Sequence, residues 1–392
     1  IEDADGNFDA VSFEQVCQLL SAMTHYRYHE LLESLKDSYA PFDPNRDLRT
    51  IEQVSDTDIK EKQREFAGLF AKILDAANYE KITDSDLQEA MHETSLFDVR
   101  LEVEFDDFEQ VVFYRRGQSE KQETLSQFWG LKKKNIRFTN YDRVAVYIKF
   151  KDDAYFKQKK KQPLGYSPGA TIIKLFQNVP KADLEMLFPN SEVRMRKIDK
   201  LFIGASAVVG GAIVLVTKLG ASIILLAALL SFWLGWRQQS VEMTQEQLVA
   251  LIIGLGVFAS FGFKEWSKFK NRKIRFMKTL ADNLYFKNLT NNGGVFHSLI
   301  DAAEEEDVKE SMLAYYFLLS APGPLTEDEL DKAIEQWFQT KLDCSLNFEI
   351  DDALRKLVNL ELVKVDSGRY SAKALDEAKS ILDGQWDNYF DY

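Results

Sequence analysis

The sequence predicts an α+β multidomain membrane protein, and three observations carry that reading. Residues 201–263 hold two long apolar runs, LFIGASAVVGGAIVLVTKLGASIILLAALLSFWLGW and LVALIIGLGVFASFGF. Upstream, Leu101, Val103 and Phe105 alternate with Glu102 and Glu104 and are followed by QVVFYRR, VAVYIKF and TIIKLFQ, the period-two signature of short strands. Downstream, three helical patterns lead into a short hairpin pattern, the order of a winged helix.

Residues 1–94 read as a helical N-terminal domain. Val16, Leu19, Leu20, Met23, Leu31, Leu32 and Leu35 recur at helical spacing. The turn-rich PFDPN ends that run, and a second helical region covers 61–79. His25 and His29 stand four apart on the first helix, a spacing that can bring two imidazoles to one metal with Glu30 or Glu33 nearby. No HExxH pattern accompanies them, so a histidine pair without a metal is the favoured reading. Asp3, Asp5, Asn7 and Glu14 take positions 1, 3, 5 and 12 of a calcium loop. Phe8 stands where that loop needs glycine, which favours a solvated acidic segment.

Residues 95–200 read as a membrane-proximal α+β domain: the four short strands with a helix near 182–187. Two basic segments fall in it, Lys132 to Lys134 and Lys157 to Lys161 with Tyr155 and Phe156 beside them. Contact with anionic headgroups and solvated loops are even readings of both.

Residues 201–263 read as a transmembrane hairpin, because a bilayer core of ~30 Å needs about 20 apolar residues per helical crossing. Arg194, Arg196, Lys197 and Lys200 precede it, seven basic residues between 264 and 278 follow it, and only Arg237 in the connecting loop is basic. By the positive-inside bias both flanks face the same compartment. The first run would extend ~54 Å as one straight helix, so it must bend or lie flat; two crossings are favoured, with three as the alternative. Lys218 in that run is a possible intramembrane polar site, against the favoured reading that it snorkels to a headgroup. Residues 264–300 read as a basic juxtamembrane stalk and turn, in which Lys268, Lys270, Arg272 and Lys273, together with Arg194, Arg196, Lys197 and Lys200, are candidates for lipid contact. At its end Asn291, Asn292 and His297 form a possible ligand site around the pair Gly293 and Gly294. A helix-to-helix turn is the favoured alternative.

Residues 301–392 read as an acidic winged-helix domain: MLAYYFLL, EDELDKAIEQWF, IDDALRKLVNLEL, then LVKVDSGRYSA with a turn at Ser367 and Gly368. Apolar stripes that include Ile334, Trp337, Leu354 and Leu357 predict that residues 308–392 pack on their own. Residues 301–392 hold 22 acidic and nine basic residues, of 62 and 49 in the chain, so they carry the whole net charge of −13. Glu349, Asp351 and Asp352 on the third helix oppose a nucleic-acid role, which needs a positive face. Cys17 and Cys344 form no disulfide framework or metal spacing and suit a reducing compartment. Opening on Ile1 without a signal-type segment fits a presequence removed or left out.

Several phrases, among them HELLESLKDSYAPFDP, FDDFEQVVFYRRG, NVPKADLEMLFPNSEVRMRKIDK and NLYFKNLTNNGGVFHSLIDAAEEE, resemble the transmembrane protein 143-like family, an uncharacterised group with a domain of unknown function. The resemblance runs from about Phe13 to past Val365. It implies a membrane hairpin in a mitochondrial, plastid or bacterial inner membrane, with both termini on the matrix, stroma or cytoplasmic side, and it brings no activity. No phosphate-binding GxxxxGK, GxSxG elbow or cysteine zinc cluster is present, so no cofactor is expected and an enzyme is disfavoured. The expected role is a scaffold or adaptor in the membrane that binds a protein through the acidic winged helix and self-associates through small residues at Ala207, Gly211, Gly256 and Ser260. The alternative is an oligomeric channel or transporter with Lys218 near a polar path.

Overall fold

The computed structural model describes residues 9–44, 56–92, 100–127, 132–161, 166–194, 209, 220–236, 244–348 and 350–389. Among them the chain is mostly helical with a small antiparallel sheet. Helix α1 (Ala10–Tyr39) starts where the Asp9 carboxylate accepts from Val11 N at 3.0 Å and Ser12 Oγ at 2.7 Å, an N-cap that satisfies an otherwise orphaned donor. Its buried residues Phe13, Val16, Leu20, Tyr28, Leu32, Leu35 and Tyr39 form one stripe. Helix α2 (Asp56–Ala76) stops at Asn78, whose φ of 55° places it in the left-handed region.

Five strands, β1 (Glu80–Ile82), β3 (Phe108–Gln127), β4 (Lys132–Phe150), β5 (Thr171–Pro180) and β7 (Asn288–Asn291), make one antiparallel sheet in the order β1-β3-β4-β5-β7. The three-residue strands β2 (Arg100–Glu102) and β6 (Glu192–Arg194) pair separately, so the strand read at 101–105 is shorter and lies outside the main sheet. Helices α3 (Asp84–His92) and α4 (Asp153–Gln158) are short, and the helix expected near 182–187 is a 3-10 turn over Lys181–Leu187. Alternation along β4 divides its side chains. Ala145 joins α1, α2 and Phe296 on one face, while Val144, Val146 and Ile148 join Phe113, Leu184 and Phe188 on the other.

Beyond the sheet come α5 (Gly220–Trp233) and α6 (Gln245–Lys287), then α7 (Gly293–Ser320), α8 (Glu327–Leu342), α9 (Ile350–Asn359), the hairpin β8 (Val363–Asp366) and β9 (Arg369–Ala372), and α10 (Leu375–Asp387). The winged-helix order is present, with a capping box at Thr326 and Glu329 opening α8. The N-terminal helix completes its core: Phe13, Val16, Leu20 and Met23 of α1 lie in one cluster with Leu318, Ile334, Leu354, Leu357 and Leu382. Helices α1 and α7 run antiparallel along their length. Phe13 stacks on Tyr315 at one end, with centroids 6.4 Å apart, and Tyr39 meets Phe296 edge-on at 5.2 Å at the other.

The transmembrane hairpin is overturned, and with it the placement of the chain as an integral membrane protein. No helix among the described residues is long and apolar enough to cross a membrane. Helix α5 has 14 residues, about 21 Å at ~1.5 Å per residue, and Gly235 at φ 74° follows its last turn. Helix α6 is 43 residues long, but its apolar part, 248–263, covers 16 and is bounded by Gln245, Glu246 and Gln247 on one side and Lys264 on the other. Arg196, Lys197, Lys200, Ala207, Gly211, Lys218 and Arg237 lie outside the described residues, as do Asp3, Asp5 and Asn7 of the calcium-loop pattern. Ile224, Trp233, Ile252 and Phe263 are exposed in this chain.

Candidate functional site

A helix turns about 100° per residue, so four consecutive carboxylates on one helix point to four different neighbours. The run Glu304 to Asp307 in the middle of α7 does this. Glu304 accepts from His25 Nδ1 at 3.0 Å, and Glu305 pairs with Lys309 at 2.5 Å. Glu306 takes Arg116 of β3 at 2.5 Å and Asn78 Nδ2 at 2.9 Å. Asp307, buried, takes Arg27 Nη2 and the Tyr28 hydroxyl at 2.7 Å each and Lys356 Nζ at 2.5 Å. The acidic run thereby fastens α7 to α1, to the sheet and to the third helix of the winged-helix unit.

Asp307 sits at the floor of a cleft of about 650 Å³ between α1 and α2 on one side and α7 and α9 on the other. Asp351, Arg355 and Asn359 of α9, the helix that would read a DNA groove in a winged helix, line this cleft and face the chain's own Arg27, Lys72 and Tyr79. Asp307, Glu310 and Asp352 bring ligand atoms within 4.8 Å of one another, a carboxylate set suited to a hard divalent cation. Lys356 stands among them: its ammonium reaches Asp307, Asp352 and, at 3.8 Å, Glu310. Its side chain is 13% exposed and that of Asp307 6%, so the pair exchanges little with solvent, and one lysine supplies the positive charge a metal would bring. Burial, reinforced by its bond to Asp307, pushes the Tyr28 phenol up, which keeps it a hydrogen-bond donor.

The histidine pair is split. His25 binds Glu304, while His29 and His297 both lie near Glu33, whose carboxyl is held below its usual range first by the Lys36 hydrogen bond and less by those two imidazoles. His25, His29 and His297 are exposed, and the carboxylate set above, which includes none of them, is the metal-competent group among the described residues. Asn292 is structural. Its backbone N–H donates to Ile173 O at 2.7 Å, while its Oδ1 accepts from Ile173 N at 3.0 Å and from the Tyr39 hydroxyl at 3.2 Å. With φ 48° and ψ −123° it turns the chain from β7 into α7, and no acceptor is left for a ligand. Asn291 is exposed beside it on the edge strand. Of the basic candidates, Arg194 closes β6, Lys268 pairs with Glu265 at 2.6 Å and Lys270 lies over the Trp266 ring; Arg272 and Lys273 are on α6. Lys157 pairs with Asp153, and Lys159 with Asp106 at 3.3 Å. Lys161 holds the buried Asp107 at 2.6 Å. These lysines are committed to local carboxylates.

Asp307, Lys356, Arg27 and Tyr28 carry no sequence motif. The signal that could have found them is four consecutive acids inside a helix otherwise built to be buried. Residues 141–294, from the middle of β4 to the start of α7, match a family described as Protein of unknown function (DUF3754). No solved structure matches the chain.

Proposed function

We propose that the chain is a non-enzymatic adaptor that binds a protein of basic or mixed surface charge through its acidic winged helix. The observation that supports this most is the placement of α9. Its outer residues Asp351 and Arg355 line the chain's own cleft and the Lys356–Asp307 bond holds it there, so the helix that would read a groove presents carboxylates beside its one exposed arginine. The acidic opening of α8 is exposed on this unit, with Glu327 and Asp328 open to a partner while Glu329 is engaged by Thr326 and Arg369. Carboxylates there repel phosphate and attract lysine and arginine, and such rim charges set association rate and partner choice.

Zero-length carboxyl-to-amine cross-linking of the full chain in an extract tests the reading. The expected result is cross-links from Glu327 or Asp328 to partner lysines, weakened by salt and lost in Glu327→Gln/Asp328→Asn. Sub-micromolar, salt-sensitive binding of duplex DNA by the full chain would overturn it.

A further inference from the structure

A second concavity, of about 310 Å³, lies between α2 and the face of the sheet that α2 covers. Its construction follows from two periodicities. Lys60, Gln63, Arg64, Ala67 and Phe70 are spaced to share one stripe of α2. Gln110, Val112 and Tyr114 alternate along β3, and the register sets Gln110 opposite Lys149 and Val112 opposite Tyr147 on β4. All of these residues line the groove. Its volume falls at the lower end of small-ligand sites.

The wall chemistry is one-sided. In a chain of net charge −13, the residues lining this groove include three cations, Lys60, Arg64 and Lys149, and no carboxylate among the described residues. Lys149 is held from the rim by Glu109 at 2.9 Å and Gln63 at 3.2 Å. Lys60 and Arg64 are exposed and have no carboxylate partner among the described residues. The floor is aromatic: Phe66 stacks on Phe70 with centroids 5.3 Å apart, and Tyr147 lies 6.3 Å from Phe66 and 6.5 Å from Phe70. The phenols of Tyr114 and Tyr147 are both pushed up by burial and so serve as neutral donors.

We infer that this groove binds a small aromatic anion, with a planar ring on Phe70 and Tyr147 and a phosphate or carboxylate head between Arg64 and Lys60. A guanidinium offers a two-pronged donor to such a head. A flat ring recovers the apolar contact that bulk phosphate lacks. This site is separate from the acidic winged helix, so either proposal can fail alone.

The probe is 1-naphthyl phosphate, followed by its own fluorescence on the full chain. Saturable binding at submillimolar concentration is expected, at least tenfold weaker for neutral 1-naphthol and for inorganic phosphate. Lys60→Gln/Arg64→Gln should weaken it by tenfold or more with an unchanged melting curve. Lys268→Gln, an exposed lysine on α6, should bind as the parent does. Val112→Trp, which fills the groove and leaves the cations in place, should also abolish binding. Absence of saturable binding, or equal binding by the double variant or by Val112→Trp, would overturn the inference.

Discussion

Lys356 Nζ approaches Asp307 Oδ1 to 2.5 Å across 49 positions of sequence, and this bond joins the third helix of the winged-helix unit to the middle of α7. Replacing Lys356 by Met leaves Asp307 with Arg27 and Tyr28 and Asp352 with Arg355, but removes the cation that Asp307, Glu310 and Asp352 share. The expected loss is about 3 kcal/mol of folding stability. Asp307→Asn combined with Lys356→Met should recover most of that loss, since the pair is then removed together. Denaturant unfolding of the two variants checks both statements, and additive losses would show that the residues do not act on each other.

Asn292 separates backbone strain from hydrogen bonding. Asn292→Ala removes the acceptor for Ile173 N and keeps a Cβ at φ 48°. Asn292→Gly removes the same acceptor but suits that backbone. Leaving a buried amide unpaired costs about 1–3 kcal/mol, and a side chain at this sparsely populated φ and ψ adds about 1–3 kcal/mol for alanine. Glycine should therefore be the milder substitution in a thermal melt; the reverse order would mean that the turn is not strained.

Alkali should destabilise the fold before acid chemistry is involved. Burial pushes up the phenols of Tyr28, Tyr39 and Tyr315, and pushes the Cys17 thiol up to about 11. Each of these groups keeps its proton in the folded chain at a pH where the unfolded chain has lost it. Stability from them is complete below the unfolded values, about 8.5 for cysteine and 10 for tyrosine, and falls as pH rises beyond them. Lys174, pushed down by burial, works the other way and is outnumbered. A melting temperature that holds to about pH 8.5 and then drops is expected; a flat profile to pH 11 would refute the assignment. At pH 8 a thiol reagent should modify the exposed Cys344 promptly and Cys17 only on unfolding.

A fragment of residues 308–392 should fold poorly by itself, because Phe13, Val16, Leu20 and Met23 belong to its core. Exposing those contacts costs roughly 1.5–3 kcal/mol for each large apolar side chain, enough to unfold a small domain. Adding a peptide of residues 9–39 in trans should restore dispersed amide signals in the NMR spectrum. A fragment that is folded alone would place α1 outside its core.

Local pattern was legible where one element decides its own form. The stripe of α1, the alternation of β4 and β5, and the helix and hairpin order of the tail all follow from side-chain period. Residues 288–291 read as part of a helix-to-turn passage, yet they pair with β5; an edge strand of four residues has too few alternations to announce itself. Among the described residues of 201–263, α5 covers Gly220–Trp233 with Gly235 after its last turn, and apolar count alone did not report that no described helix is long and apolar enough to cross a membrane. The Asp307 hub was illegible for a different reason: Arg27 and Asp307 are 280 positions apart, and no periodicity reports a pair at that distance.

That same distance governs how the protein can be made. Helix α1 leaves the ribosome long before α7, α8 and α9 exist, so the apolar stripe headed by Phe13 and Val16 must wait until those helices are made for the surfaces that cover it. Contacts this remote in sequence form slowly, and exposed apolar stripes in partly made chains invite misassociation. A later segment therefore closes a fold that an earlier one began, and a chaperone that holds residues 10–39 until then would act on a vulnerable step.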